Sequence, residues 1–208
     1  GGRLTAVCGG PEGRRRSVIE GAGARDRPGP WDKSPVPPEV QIRGLGPAML
    51  SVTKLKRSEP VYSGVMNLSP AREYAHPDSS TDLVHVYEMG AGGPSAELHV
   101  AEQPSLQSAR LGAGGVHHVA FRTPNEAEYH AWSDRLNTMG IQKSGEVDRF
   151  FFQSLYFREP NGILLEIATD GPGSGLDEDP RTLGEQVALP PFLEPDREAI
   201  VANLEPID

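Results

Sequence analysis

Two short stretches carry residue types that can do chemistry. "GVHHVAFRT" (115–123) sets two imidazoles, His117 and His118, at the head of an apolar run, and "GILLEIAT" (162–169) sets one carboxylate, Glu166, among aliphatic side chains. Side chains on a strand alternate between faces. His118 then shares a face with Ala120 and Arg122, while His117 goes with Val119 and Phe121. In "SLYFR" (154–158), Ser154, Tyr156 and Arg158 point one way, and Leu155 and Phe157 the other. Glu166 opposes Leu165 and Ile167 in the same manner. The apolar sets pack under a helix, which leaves His118, Tyr156 and Glu166 on the opposite, concave face. An imidazole and a carboxylate on neighbouring strands of one face form a donor pair for a divalent metal. A strand histidine on its own is ordinarily a hydrogen-bonding residue. An ionised carboxylate among aliphatics, by contrast, requires a cation or strong donors. His117 reads as a core or rim hydrogen-bonding residue.

The elements that must position these residues come in a repeated order. "PAMLSVTKL" (47–55) reads as a strand and "SEPVYSGVMNL" (58–68) as a helix with Ser58 as its N-cap candidate. "TDLVHVYEM" and "SAELHVAEQ" then alternate across the turn "GAGGP", as a β-hairpin does. The order recurs. "VHHVAFRT" is a strand, and "PNEAEYHAWSDRLNTMG" is a helix opened by Pro124 and closed by Gly140, with Tyr129, Trp132, Leu136 and Met139 along one face. "RFFFQSLYFREPNGILLEIATD" is a strand, an "EPNG" turn and a strand. The fold class expected is α+β, with paired βαβββ modules making a curved mixed-sheet cup closed by a wrapping C-terminal tail.

The domain organisation follows from these elements. Residues 44–110 and 111–170 are the two βαβββ modules, the second carrying the metal site. Residues 1–43 hold the last strand of a preceding module ("GGRLTAV", similar to "GILLEIA") plus a Gly/Pro-rich linker in which Trp31 is a packing anchor. Residues 171–208 form the tail, with one helix near 195–203. The 208 residues carry a formal net charge of −9 and no basic stripe, which argues against nucleic acid. No apolar run reaches membrane-spanning length. The single cysteine, Cys8, excludes an internal disulfide and fits a cytoplasmic location.

"HHVAF", "YFREPNGILLEIATDGPG" and the βαβββ repeat together resemble the vicinal oxygen chelate superfamily. Within it, the tail phrase "ATDGPG…DEDP…LG…LPPFLEP" is similar to the ring-cleaving dioxygenases that open hydroquinones. The resemblance runs through most of the chain and matches the C-terminal two-thirds of such an enzyme. It implies that His118 and Glu166 are metal ligands, with Tyr156 and Arg149 beside the metal as substrate- or oxygen-handling residues. It also implies a non-haem Fe(II) centre of two histidines and one carboxylate, for which Mn(II) suits the same ligands. The partners implied are a small aromatic diol and O2.

The second histidine of that centre is not evident. Pro47 stands in the first module where His118 stands in the second. In the resembled enzymes the other histidine comes from the first strand of the first unit. A partner chain swapping modules, or His99 recruited from the neighbouring hairpin, would supply it; an exposed cup wall also favours homo-oligomers. Two alternatives share the fold: a metal-free small-molecule binding module and a glyoxalase-type lyase.

Overall fold

The computed structural model describes residues 5–10, 15–20, 29–112, 114–173, 175–176, 178–179 and 181–205. Its elements form two four-stranded mixed sheets of identical topology, as the repeated order requires. The first module runs β3 (Ala48–Val52), α1 (Leu55–Glu59), β4 (Ser69–Ala75), β5 (Leu83–Glu88) and β6 (Glu97–Glu102). The second runs β7 (Val119–Thr123), α2 (Glu126–Thr138), β8 (Val147–Asp148), β9 (Gln153–Arg158) and β10 (Leu164–Thr169). The sheet orders are β3-β6-β5-β4 and β7-β10-β9-β8. Pro47 and His118 each immediately precede the first strand of their module, so the two positions correspond in the fold as they do in the sequence.

By contacts, one compact unit comprises Gly1–Val119 with Arg158–Leu164, and the other Ala120–Phe157 with Leu165–Asp208. In the first unit β3 runs parallel to β6, and β5 is antiparallel to both β4 and β6. Leu50, Val52, Leu98, Val100 and Tyr87 are buried, and Tyr87 packs on Tyr62 with ring centroids 5.6 Å apart. The β5–β6 turn needs positive φ at Gly90, Gly92 and Gly93, which "GAGGP" supplies.

The first helix departs from its sequence reading. It starts at Leu55, so Ser58 is inside it and fully buried, not at its N-cap. Pro60 then interrupts the pattern, because proline has no N–H and its ring clashes with the preceding turn. The chain continues as a π-helical turn over Pro60–Val65, with Met66 N–H donating to Val61 O at 2.8 Å.

Ser58 serves a different purpose. Its hydroxyl donates to Oε2 of the buried Glu159, in the "EPNG" turn. Backbone N–H groups of Asn161 (3.0 Å) and Ile163 (2.8 Å) donate to the same carboxylate. Asn161 Nδ2 reaches Ser58 Oγ at 2.6 Å and Lys54 O at 3.1 Å. The turn is thus clasped to α1 by one buried carboxylate whose bonds are all local to the first unit.

α2 matches its signals closely. Asn125 caps it by accepting from Glu128 N–H at 2.9 Å. At the other end Gly140, with φ +69°, donates to Asn137 O while Ile141 N–H donates to Leu136 O, the paired bonds of a Schellman motif. Tyr129 and Leu136 are buried, whereas Met139 is 47% exposed and lies off the buried face.

Two further readings change. The stretch read as linker contains a strand, β2 (Arg15–Ile19), paired antiparallel with β1 (Thr5–Gly9). Trp31 is 61% exposed; the bracing at this point comes from Gln41, whose amide bonds the Trp31 backbone. The first four residues of "GGRLTAV", read as the last strand of a preceding module, lie outside the described residues. The tail holds a 3-10 turn over Pro191–Asp196 and α3 (Arg197–Ala202).

Candidate functional site

β10 presents Leu165, Glu166 and Ile167, all buried. Glu166 is 2% exposed, and its Oε1 accepts a hydrogen bond from Ser154 Oγ on β9 at 2.5 Å. Ser154 and Glu166 therefore share a sheet face, and alternation adds Tyr156 to it. Tyr156 is half-buried. The guanidinium of Arg149, from the loop that joins β8 to β9, stands over the Tyr156 ring 5.3 Å from its centroid. Three of the residues singled out by sequence, Glu166, Tyr156 and Arg149, thus belong to neighbouring strands and one loop of the second unit. Sequence reasoning missed Ser154 as the donor to Glu166. Its only signal was the alternation that put it on the same face.

The Arg149 loop is a tight hairpin connection. Arg149 N–H donates to Phe152 O at 2.8 Å, closing the loop, and Phe151 N–H donates to Arg149 O at 2.8 Å across Phe150. Asp148 Oδ1 accepts from Phe150 N–H at 2.7 Å. Gly173 N–H, from the tail, donates to Phe151 O at 2.7 Å. "RFFFQ" gave no warning of this turn, because it reads as a continuous apolar strand.

His118 lies in the first unit, half-buried, one residue before β7. Alternation along β7 is as read: Phe121 and Thr123 are buried, Ala120 and Arg122 exposed. His117 is exposed, and its Nδ1 lies 2.9 Å from Nδ1 of His118 with the rings edge to face. One of those two nitrogens must carry the proton. His117 therefore makes its hydrogen bond to its neighbour, not into the core.

His99 is not available as a recruit. Its Nε2 lies 2.8 Å from Glu97 Oε2 and its Nδ1 2.9 Å from Tyr74 Oη. Arg72 holds the same carboxylate through both oxygens, at 3.0 and 2.8 Å. Burial pushes the Glu97 carboxyl up, but Arg72 and His99 outweigh it and hold the group below its ordinary range. His85 and His99 do not approach each other either. His85 pairs with Val100 in the ladder, which puts it on the opposite face from His99, and its Nδ1 contacts Glu73 at 2.8 Å.

The donor chemistry of His118 and Glu166 suits a borderline divalent cation. Among the described residues, no group of three His, Cys, Asp or Glu side chains gathers to hold one.

Residues 44–167 match the family model of the Glyoxalase/Bleomycin resistance protein/Dioxygenase superfamily. A Bacillus subtilis (strain 168) protein named "Putative ring-cleaving dioxygenase MhqA" is 41% identical over 179 residues, covering 86% of this chain and 56% of that protein. The "Chlorohydroquinone/hydroquinone 1,2-dioxygenase" of Sphingobium indicum is 29% identical over 168 residues, covering 79% of this chain and 50% of that protein. The chain therefore spans about half the length of these curated relatives. A crystal structure of a "putative dioxygenase" from Bacillus subtilis superposes with a TM-score of 0.75 at 27% identity, covering 99% of this chain and 66% of that one. With the family model spanning both βαβββ modules, the chain belongs to the glyoxalase/bleomycin resistance protein/dioxygenase superfamily.

Proposed function

We propose that the chain belongs to a ring-cleaving dioxygenase that opens hydroquinone- or catechol-like aromatic diols with O2. The names of its relatives support the reaction class. The structural observation that carries the reading is Glu166: a carboxylate 2% exposed, held by Ser154 on the neighbouring strand that also carries Tyr156, over whose ring Arg149 stands. In this reading His118 and Glu166 bind Fe(II), and a further histidine comes from outside the described residues. When bound, the metal supplies the electron path between diol and O2.

The chain's own residues have separate tasks. Ser154 orients the Glu166 carboxylate by donating to one oxygen. Arg149 meets negative charge on the substrate oxygens, and Tyr156 offers a phenolic donor on the same face. Burial of Glu166 itself strengthens the bond that it accepts from Ser154.

Oxygen uptake with hydroquinone or catechol after anaerobic Fe(II) loading tests the proposal. Uptake in the wild type that is lost in Glu166→Ala supports it. No uptake in a preparation that carries stoichiometric iron counts against it. The second reading, a metal-free binding module, draws on the missing three-residue donor group among the described residues. It expects diol binding that iron leaves unchanged. Cytoplasmic location rests on the lone Cys8. Among the described residues, no helix is long and apolar enough to cross a membrane.

A further inference from the structure

Phe150 has φ +68°. A bulky side chain rarely adopts this region, since its Cβ crowds the backbone. The bond from Phe151 N–H to Arg149 O spans Phe150 alone. That bond and that φ define the positive-φ γ-turn, the rarer and more strained of the two forms. The conformation is held from several sides: Asp148 takes the Phe150 N–H, Arg149 and Phe152 close the loop, and Gly173 takes the Phe151 carbonyl. Strain persists where surrounding bonds over-determine it, and it concentrates at functional sites. A turn needed only to reverse the chain would use glycine here, as Gly145 (φ +82°) and Gly162 (φ +93°) do elsewhere in this module. The aromatic ring is present despite its cost to the backbone.

The ring's surroundings indicate what it does. Phe150 is half-buried and meets Phe151 edge to face, with centroids 4.8 Å apart. Its neighbour in sequence is Arg149, whose guanidinium covers Tyr156. One short loop thus carries a cationic and an aromatic side chain at consecutive positions. An aromatic diol needs both: a donor for its oxygens and a π-face or edge for its ring.

Resting on the ring-cleavage reading, we propose that Phe150 is a specificity-determining residue that contacts the substrate ring while Arg149 meets its oxygens. It discriminates aromatic from saturated diols. The strained γ-turn fixes the ring in place before the substrate arrives, so little ordering is left to be done on binding.

Saturation-transfer NMR of the full chain tests this, using hydroquinone and cyclohexane-1,4-diol as probes under anaerobic conditions. The wild type should bind hydroquinone more tightly than the saturated diol. Phe150→Gly and Phe150→Ala should each weaken hydroquinone by about three- to tenfold, the range an aromatic pair contributes, and erase the preference. Phe150→Trp should restore it. Melting curves provide the control: Phe150→Gly should melt higher than Phe150→Ala, because only glycine relaxes the positive φ. Unchanged hydroquinone affinity in both truncations, with Arg149→Ala still weakening it, would overturn the role of Phe150 and leave the ring-cleavage reading standing. Failure of the wild type to bind hydroquinone at all would overturn both.

Discussion

The hydroxyl of Ser154 donates to Oε1 of Glu166 at 2.5 Å, and both residues are buried. Removing one donor from a buried carboxylate leaves part of its desolvation uncompensated. Ser154→Ala should therefore lower unfolding stability by about 1–3 kcal/mol, as read by chemical denaturation. If Glu166 binds Fe(II), the same change should weaken metal affinity by roughly 10- to 100-fold, the usual effect of removing a partner of a ligand. Calorimetric titration separates the two effects. A stability loss with no change in metal affinity would confine Ser154 to a structural role.

Metal dependence gives the second prediction. Anaerobic Fe(II) should raise the melting temperature of the wild type, since a ligand that binds only the folded state stabilises it by mass action. Chelator should reverse the rise. His118→Ala and Glu166→Ala should each abolish it. An equal rise in both variants would place the ion elsewhere.

The clasp between Glu159 and Ser58 gives a third. Glu159→Ala removes the acceptor for Ser58 Oγ and for the N–H groups of Asn161 and Ile163. Hydrogen bonds to a charged group contribute about 1.5–3 kcal/mol each and do not add fully, so a loss of about 3 kcal/mol is expected. Asn161→Ala, which removes the bonds to Ser58 and Lys54 O, should cost less. Hydrogen exchange should accelerate first at the Glu159–Ile163 turn. A loss under about 0.5 kcal/mol for Glu159→Ala, the size of an ordinary surface change, would mean that the carboxylate finds no net gain in its site.

pH dependence should appear at His130. Its Nδ1 lies 3.0 Å from Glu146 Oε1, and that hydrogen bond raises its pKa above the ordinary 6.5. Glu126 also approaches it, at 3.7 Å. A group whose folded pKa is raised contributes stability that is full below the unfolded value and fades as pH rises through the folded one. The contribution from His130 should thus be full below about pH 6.5 and fade as pH rises above that, through its raised folded pKa. A titration of the His130 ring protons by NMR checks the shift, and Glu146→Gln should return it toward 6.5. A midpoint unmoved by that change would remove the pair as the cause.

Much of the second module was legible in the sequence because its signals are local. Asn125 and Gly140 delimit α2 through bonds to residues within a few positions of each. Alternation put Ser154 and Glu166 on one face, and the hydrogen bond between them agrees. The errors share a different cause. Ser58 was read as a cap because Ser often is one, but its partner Glu159 is about a hundred positions away. β2 was hidden in a Gly- and Arg-rich stretch with no apolar alternation to report it, since its residues are exposed except for a half-buried Ile19. Trp31 was read as a packing anchor by its type alone.

By itself, then, the amino-acid sequence determined the repeated βαβββ order, the family, and the residue types able to meet a metal and an aromatic diol. These depend on side-chain period, turn chemistry and motif, which act between near neighbours. Tertiary structure alone decided that Ser154 holds Glu166, that Tyr74 and Glu97 occupy both nitrogens of His99, and that Phe150 is forced into a strained turn beside Arg149. Each of those outcomes depends on which strands pair, or on how a turn is pinned from outside itself. A hydrogen bond specified by three-dimensional register leaves no periodic trace along the chain.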